Sequence, residues 1–287
     1  MADELIIALD GLALGLLLYC VATGLSLALG VAGVFQLSHG AFFLAGTCMA
    51  WWLAESGSWL GFFAALAAGL VSGGVAGGGL AVLLRPLTNH LDQVLATIGI
   101  GLVLVDLLTT GHGAQPRSVQ APPGLDRSVV LLGHAYPTYR LVVIVVAAAL
   151  AVLLYLTVEA SRAGALVRAV AADAGYVATL GVEPRRAQLL VMAAGGALAT
   201  GTGVLGAPIL GPAPGLDSSV LTLSLIIVVA GGLGSMRGSL AAALLVGQIQ
   251  TTAAVAWPLA APFLLLVLLV VGLVWRARRT TAGIRVT

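Results

Sequence analysis

The run GLALGLLLYCVATGLSLALGVAGVFQLSHGAFFLAGTCMAWWLA, residues 11–54, contains no Asp, Glu, Lys or Arg. A helix rises about 1.5 Å per residue and a bilayer core is about 30 Å thick, so about 20 apolar residues make one pass. The run is too long for one crossing, and two fit with a break near residues 36–40. Working outward along the chain, residues 60–84 read as a third span and 92–110 as a fourth. The Pro- and Gly-containing stretch 111–138 reads as a loop. Residues 141–158 make a fifth span, 188–205 a sixth and 218–234 a seventh. The uncharged run 238–275 is long enough for two more, turning at Trp257-Pro258. The expected fold is therefore all-α and polytopic, with about nine crossings (eight to ten), some of them broken, in one membrane domain covering residues 1–287.

Composition supports this reading and excludes others. Of 287 residues, 60% are hydrophobic and 8% charged, against roughly 25% charged in a soluble domain. All thirteen basic residues are arginine. Without lysine there is no Gly-Lys-Ser/Thr phosphate loop and no Schiff-base chemistry, so any work the protein does is powered from elsewhere. Cys20 and Cys48 fall inside apolar runs, as small buried hydrophobes do; with four scattered histidines they make no metal site. A net charge of +2 points to no nucleic-acid partner. A cleaved signal peptide is not expected, because the first apolar run lacks a basic start and continues too long.

Orientation follows from the arginines. If residues 159–187 face the cytoplasm, Arg85, Arg162, Arg168, Arg185, Arg186, Arg237, Arg276, Arg278, Arg279 and Arg285 lie inside, and Arg117, Arg127 and Arg140 outside. Basic residues favour the inner side, so nine passes place the N terminus outside and the C terminus in the cytoplasm.

Three segments carry more than composition. Gln36, Ser38 and His39 stand between two apolar arms, with Gly33, Gly40 and Gly46 able to break or bend the helix; irregular backbone at membrane depth survives only against protein or a water-filled cavity. These groups read either as pathway lining or as a structural turn. In 159–187, Leu166, Ala169, Val170, Val177 and Leu180 recur at helical spacing, Gly181 can close the helix in a left-handed conformation, and Pro184 stops its resumption. Such an amphipathic helix lies on the membrane surface or docks into a partner's cleft. Gly231, Gly232, Gly234 and Gly238, with Arg237, mark a tight return between two spans. Repeats of small residues at Gly69, Gly73 and Gly77, at Gly74 and Gly78, and at Gly195, Ala199 and Gly203 predict close helix packing. Asp106 and Asp217 are expected near outer span ends as solvated caps.

Together these segments resemble the LivH-type inner-membrane permeases of high-affinity branched-chain amino-acid ABC importers, over nearly the whole chain. Gln36-Leu37-Ser38-His39-Gly40 stands where that family has Asn-Phe-Ala-His-Gly, and Ser38-His39-Gly40-Ala41-Phe42-Phe43 leans partly toward the sister LivM type. Arg85-Pro86-Leu87 and Ala96-Thr97-Ile98-Gly99 match its Arg-Pro-Leu and Ala-Thr-Ile-Gly. Residues 164–173 with Leu180-Gly181-Val182 correspond to its coupling loop, although Ala165 replaces the usual arginine. Residues 231–238 match its Gly-Gly-x-Gly-Ser-x-x-Gly.

The resemblance implies a permease subunit without its own ATPase site in a bacterial plasma (inner) membrane. Its partners would be a related LivM-type permease, two ATPase subunits holding ATP and Mg, and an extracytoplasmic solute-binding protein, with lipid around it. The chain itself would bind no cofactor. The implied ATPase-coupling residues are Arg162, Gly164, Leu166, Arg168, Val170, Asp173, Gly181 and Arg185. The candidate path or helix-break residues are Gln36, Ser38, His39, Gly40, Thr97, Gly231, Gly232 and Gly234. Leu, Ile and Val are the implied cargo; relatives carry other amino acids, urea, amides or sugars. An ion-coupled secondary transporter would need a coupling site near the midplane, and no carboxylate is expected deep in a span.

Overall fold

A computed structural model describes residues 2–55, 57–87, 89–113, 115–131 and 134–283. Arg285 lies outside these residues, as do the side chains of Arg276, Arg278 and Arg279. Helix α1 (Ala2–Leu27) continues as a π-helical turn (Ala28–Ala32) that ends at Gly33 in the left-handed region. Residues 33–38 are irregular before α2 (His39–Ala54). Then come α3 (Trp59–Leu83), α4 (His90–His112) and α5 (Thr138–Tyr155), which also ends in a π-helical turn, Leu156–Ala160. Two short helices follow, α6 (Arg162–Ala172) and α7 (Ala174–Thr179), then α8 (Pro184–Leu210), α9 (Leu216–Gly231), α10 (Met236–Ala256) and α11 (Ala261–Gly283).

Among the described residues six helical stretches are long and apolar enough to cross a membrane: Glu4–Ala32, Trp59–Leu83, His90–Gly111, Thr138–Ala160, Pro184–Leu210 and Met236–Ala256. The protein is a multi-pass membrane protein. Helix starts follow their capping residues. The hydroxyls of Ser58, Ser161 and Ser235 accept from the amides of Gly61, Gly164 and Gly238, and Asn89 accepts from Leu91, each satisfying a donor that the first turn leaves orphaned.

Small residues decide the packing, because helices in lipid gain little from apolar burial and rely on close approach. Helix α8 runs through the centre, with α3, α2 and α1 around it. Gly73 of α3 faces the Gly196 carbonyl, where an added methyl carbon would lie at 2.5 Å. Thr200 donates to the Gly69 carbonyl at 2.6 Å. Gly46 of α2 abuts the Thr200 carbonyl, and Gly24 of α1 meets Gly195. On its other side α1 packs against α10 through Gly11, Gly15 and Gly247. Tyr19, Cys20, Val21, Ile227 and Val246 fill the interior, while Val71, Val75, Leu102 and Val103 on α3 and α4 face outward.

Several expectations change. The loop between α4 and α5 carries an antiparallel hairpin, β1 (Ser128–Leu131) with β2 (His134–Pro137). The first helix break lies at residues 33–38, and of the three glycines expected to bend the chain only Gly33 does so. Gly40 and Gly46 are helical and serve close packing, Gly40 against the Asp217 carbonyl. The single helix expected in 159–187 is two, divided at Asp173, whose carboxylate caps α7 by accepting from Tyr176 N at 2.8 Å. Pro184 begins α8 rather than delaying it: proline tolerates the first helical position because that amide has no partner there. Arg185 and Arg186 therefore lie in the first turn of a long helix. Asp106 is exposed within α4 and caps nothing; Asp217 lies near a span end as expected, in the first turn of α9 after the N-terminal cap Gly215.

Candidate functional site

Two regions at different levels of the same helices gather the sequence-derived residues. The first is the seat of α6. This helix lies across the π-helical ends of both α1 and α5. Gly164 fits against the carbonyls of Thr157 and Val158, where any side chain would collide. Arg168 donates through Nη1 to the Val158 carbonyl, and Ser161 Oγ to the Thr157 carbonyl. A π turn leaves carbonyls displaced from their α-helical partners, and α6 supplies donors to them. On the inner side Val170 and Val177 pack with Leu27, Val31, Val191 and Met236.

The expected apolar stripe is thus divided between two faces. Val170 and Val177 are buried in the protein, while Leu166, Ala169 and Leu180 are exposed, as are Tyr176, Arg162 and Arg185. Tyr176 and Leu180 are 63% and 66% exposed, well above what packing within the chain would leave. Arg168 and Val170 are engaged internally. Gly181 takes φ 81°, turning the chain from α7 toward α8. Arg186 pairs with Glu183 at 2.6 Å.

The glycine turn between α9 and α10 lies at this same end. Gly232 and Gly234 have φ 96° and 75°, and Gly231 and Gly238 touch backbone to backbone. Gly234 N donates to Ser26 Oγ of α1 at 3.1 Å. Arg237 donates to the Tyr155 hydroxyl at 2.6 Å and lies over its ring, fixing α10 to the end of α5.

The second region is the break itself. Gln36, Ser38, His39 and Thr97 are completely buried. The Thr97 hydroxyl lies 2.9 Å from the carbonyls of Phe35 and Val94 and accepts from Leu37 N at 3.4 Å, holding the irregular segment to α4. Gly101 of α4 leaves room for Ser38. His39 Nε2 is 3.0 Å from the Val21 carbonyl. A carbonyl only accepts, so Nε2 carries the proton. The other polar atoms are left over: both side-chain polar atoms of Gln36, Ser38 Oγ and His39 Nδ1 find no hydrogen-bond partner among the described residues. Each such buried group costs about 1–3 kcal/mol, and native proteins keep few of them without a use.

The sequence reading missed other polar groups in the interior. Thr202 of α8 and Ser224 of α9 are also buried, with hydroxyls that find no partner among the described residues, but single hydroxyl residues in separate spans give no linear pattern. Tyr176 stands out only as the one aromatic within 159–187.

The chain belongs to the family described as branched-chain amino acid transport system / permease component, whose model matches residues 7–271. It is a transporter component built as a multi-pass bundle. No curated protein and no solved structure gives a match.

Proposed function

We propose that the chain is a LivH-type permease subunit of an ATP-binding-cassette importer, carrying leucine, isoleucine or valine across a bacterial plasma membrane. The observation that carries this reading is the seat of α6 on the π-helical ends of α1 and α5, with Leu166, Tyr176, Leu180, Arg162 and Arg185 left facing outward. A permease without a phosphate loop must receive its work through an element of this kind. In this reading α6 and α7 sit in a cleft of a partner ATPase on the cytoplasmic side. The shorter helices α2 and α9 and the apolar part of α11, Phe263–Val274, join the six long stretches to make nine crossings, with the N terminus outside. A second, LivM-type permease, two ATPases that hold ATP and Mg, and an external solute-binding protein complete the assembly.

Closure of the ATPases on ATP displaces α6. Arg168 and Gly164 transmit that displacement to the end of α5, and Val170 transmits it to Leu27 and Val31 at the end of α1. The next residues along α1 are Gly33 and the buried polar segment. Gln36, Ser38 and His39 then exchange their buried state for contact with the passing solute or water. Their free hydrogen-bonding capacity is what such an opening would use.

The test is reconstitution of the complete complex in vesicles. Leu166→Asp and Tyr176→Ala should abolish ATPase stimulation by the loaded binding protein and ATP-driven uptake of leucine. Unchanged stimulation in both would remove α6 and α7 from the mechanism. Uptake of a different small solute in place of leucine would keep the mechanism and correct the cargo.

A further inference from the structure

At the hairpin end, opposite α6, three elements meet at one ion pair. Asp10 of α1 pairs with Arg140 of α5 and accepts from the Tyr136 hydroxyl of β2 at 2.8 Å. The pair is not sealed: the Arg140 side chain is 33% and that of Asp10 24% exposed. Both line a cavity of about 260 Å³ whose walls include Gln250 and Thr251 of α10 and the aliphatic side chains of Leu14 and Ile209. Gln250 Oε1 is buried there with no hydrogen-bond donor among the described residues. Arg140 also lines a neighbouring cavity of about 520 Å³ beneath the hairpin loop, and Gln250 one of about 510 Å³ toward α9.

We propose that this cavity is an entry site for the zwitterionic head of an apolar α-amino acid, with the carboxylate on Arg140, the ammonium on Asp10 and Gln250 Oε1, and the aliphatic side chain along Leu14 and Ile209. This deepens the importer reading and rests on it. The charge balance selects the ligand class. Asp10 and Arg140 cancel each other, so a zwitterion opens one ion pair, forms two and leaves the cavity neutral. An anion or a cation of similar size would leave one charge of this partly buried pair uncompensated, which disfavours it relative to a zwitterion. The guanidinium presents a planar fork suited to a carboxylate, and an ammonium brings three donors, enough for Asp10 and the orphaned Gln250 oxygen. Tyr136 holds the Asp10 carboxylate in place while Arg140 turns to the ligand. Liquid water occupies about 30 Å³ per molecule, so the cavity holds the volume of about eight or nine waters, room for a molecule of leucine's size.

The experiment is equilibrium binding of radiolabelled L-leucine to the purified full chain in lipid nanodiscs. Leucinamide, which lacks the carboxylate, and 4-methylpentanoate, which lacks the ammonium, should fail to compete. Arg140→Gln and Asp10→Asn should each weaken binding by about tenfold or more, the value of one charge-assisted hydrogen bond, and Gln250→Leu by less. The exchanged pair D10R/R140D restores an ion pair but reverses the site and takes the acceptor from the Tyr136 hydroxyl, so it should fold, melt somewhat below the wild type and not bind. Absence of leucine binding by the wild-type chain, or full binding by the exchanged pair, overturns the proposal. ATP-driven uptake by the assembled complex with an unaltered KM in Arg140→Gln also removes the cavity while leaving the importer reading intact. Failure of the wild-type complex to take up any amino acid would strike that reading itself.

Discussion

The guanidinium of Arg168 donates to the carbonyl oxygen of Val158, so α6 is fastened to the very turn where α5 leaves α-helical geometry. Breaking this bond separates an internal fastening from a partner contact. Arg168→Ala should cost about 1 kcal/mol of stability, read as a small fall in melting temperature in detergent. ATPase coupling in the reconstituted complex should fall several-fold while binding of the ATPases is kept. Arg168→Lys should recover little, since one ammonium on a flexible stem does not reproduce the fork.

Gly164 predicts a steric result. A methyl group there would strike the carbonyls of Thr157 and Val158, both backbone atoms that cannot swing aside. Gly164→Ala should destabilise the protein by about 1–3 kcal/mol, the usual cost of overpacking, and detach α6. Faster proteolysis within residues 159–187 would report it; a melting curve identical to the wild type would contradict it.

The divided apolar stripe makes paired expectations. Leu166→Asp and Leu180→Asp alter exposed side chains and should leave the isolated permease within about 0.5 kcal/mol of the wild type. Val170→Asp buries a carboxylate among Leu27, Val31 and Met236 and should prevent stable folding of the α6 region. Thermal melts of the three variants decide the matter directly.

Gln36 offers a trade of stability for activity. Its amide is buried without a partner, so replacement by an apolar side chain of similar size should be neutral or stabilising. Gln36→Leu is therefore expected to raise or preserve the melting temperature and to depress transport. A lowered melting temperature together with normal transport would show the amide to be structural.

Tyr136 gives a pH dependence. Burial first, and then the hydrogen bond to Asp10, push its hydroxyl above the ordinary tyrosine range, with Arg140 opposing. A group whose pKa is raised by folding contributes its stability fully below the unfolded value, about 10, and loses it as pH climbs through the raised one. Melting temperature should hold up to about pH 10 and then decline, and Tyr136→Phe should make that alkaline decline shallower.

Much of the architecture was legible in the linear chain, because the helix rise and the bilayer thickness leave few ways to distribute long apolar runs. The run 60–84 became α3 within a residue or two, and Gly181, Gly232 and Gly234 took the left-handed conformations that turns demand. Burial of Cys20 and Cys48 also followed from their apolar setting. The site was legible only as a set of names. Gln36, Ser38, His39 and Thr97 do share one interior region, and Gly164 with Arg168 do share one seat. Which face of α6 looks outward was not readable, since Val170 and Leu166 are equally apolar and only the neighbouring Leu27, Val31 and Met236 choose between them.

The sequence by itself determined that this is a bundle of membrane helices with no phosphate loop of its own, since composition and run length are local properties. Tertiary structure alone decided that α8 is the central helix, that π-helical ends of two helices meet beneath α6, and that Asp10 finds Arg140 across more than a hundred residues. Those outcomes depend on which backbones approach closely enough for glycine carbonyls and side-chain donors to meet, and that distance is set by the whole bundle at once.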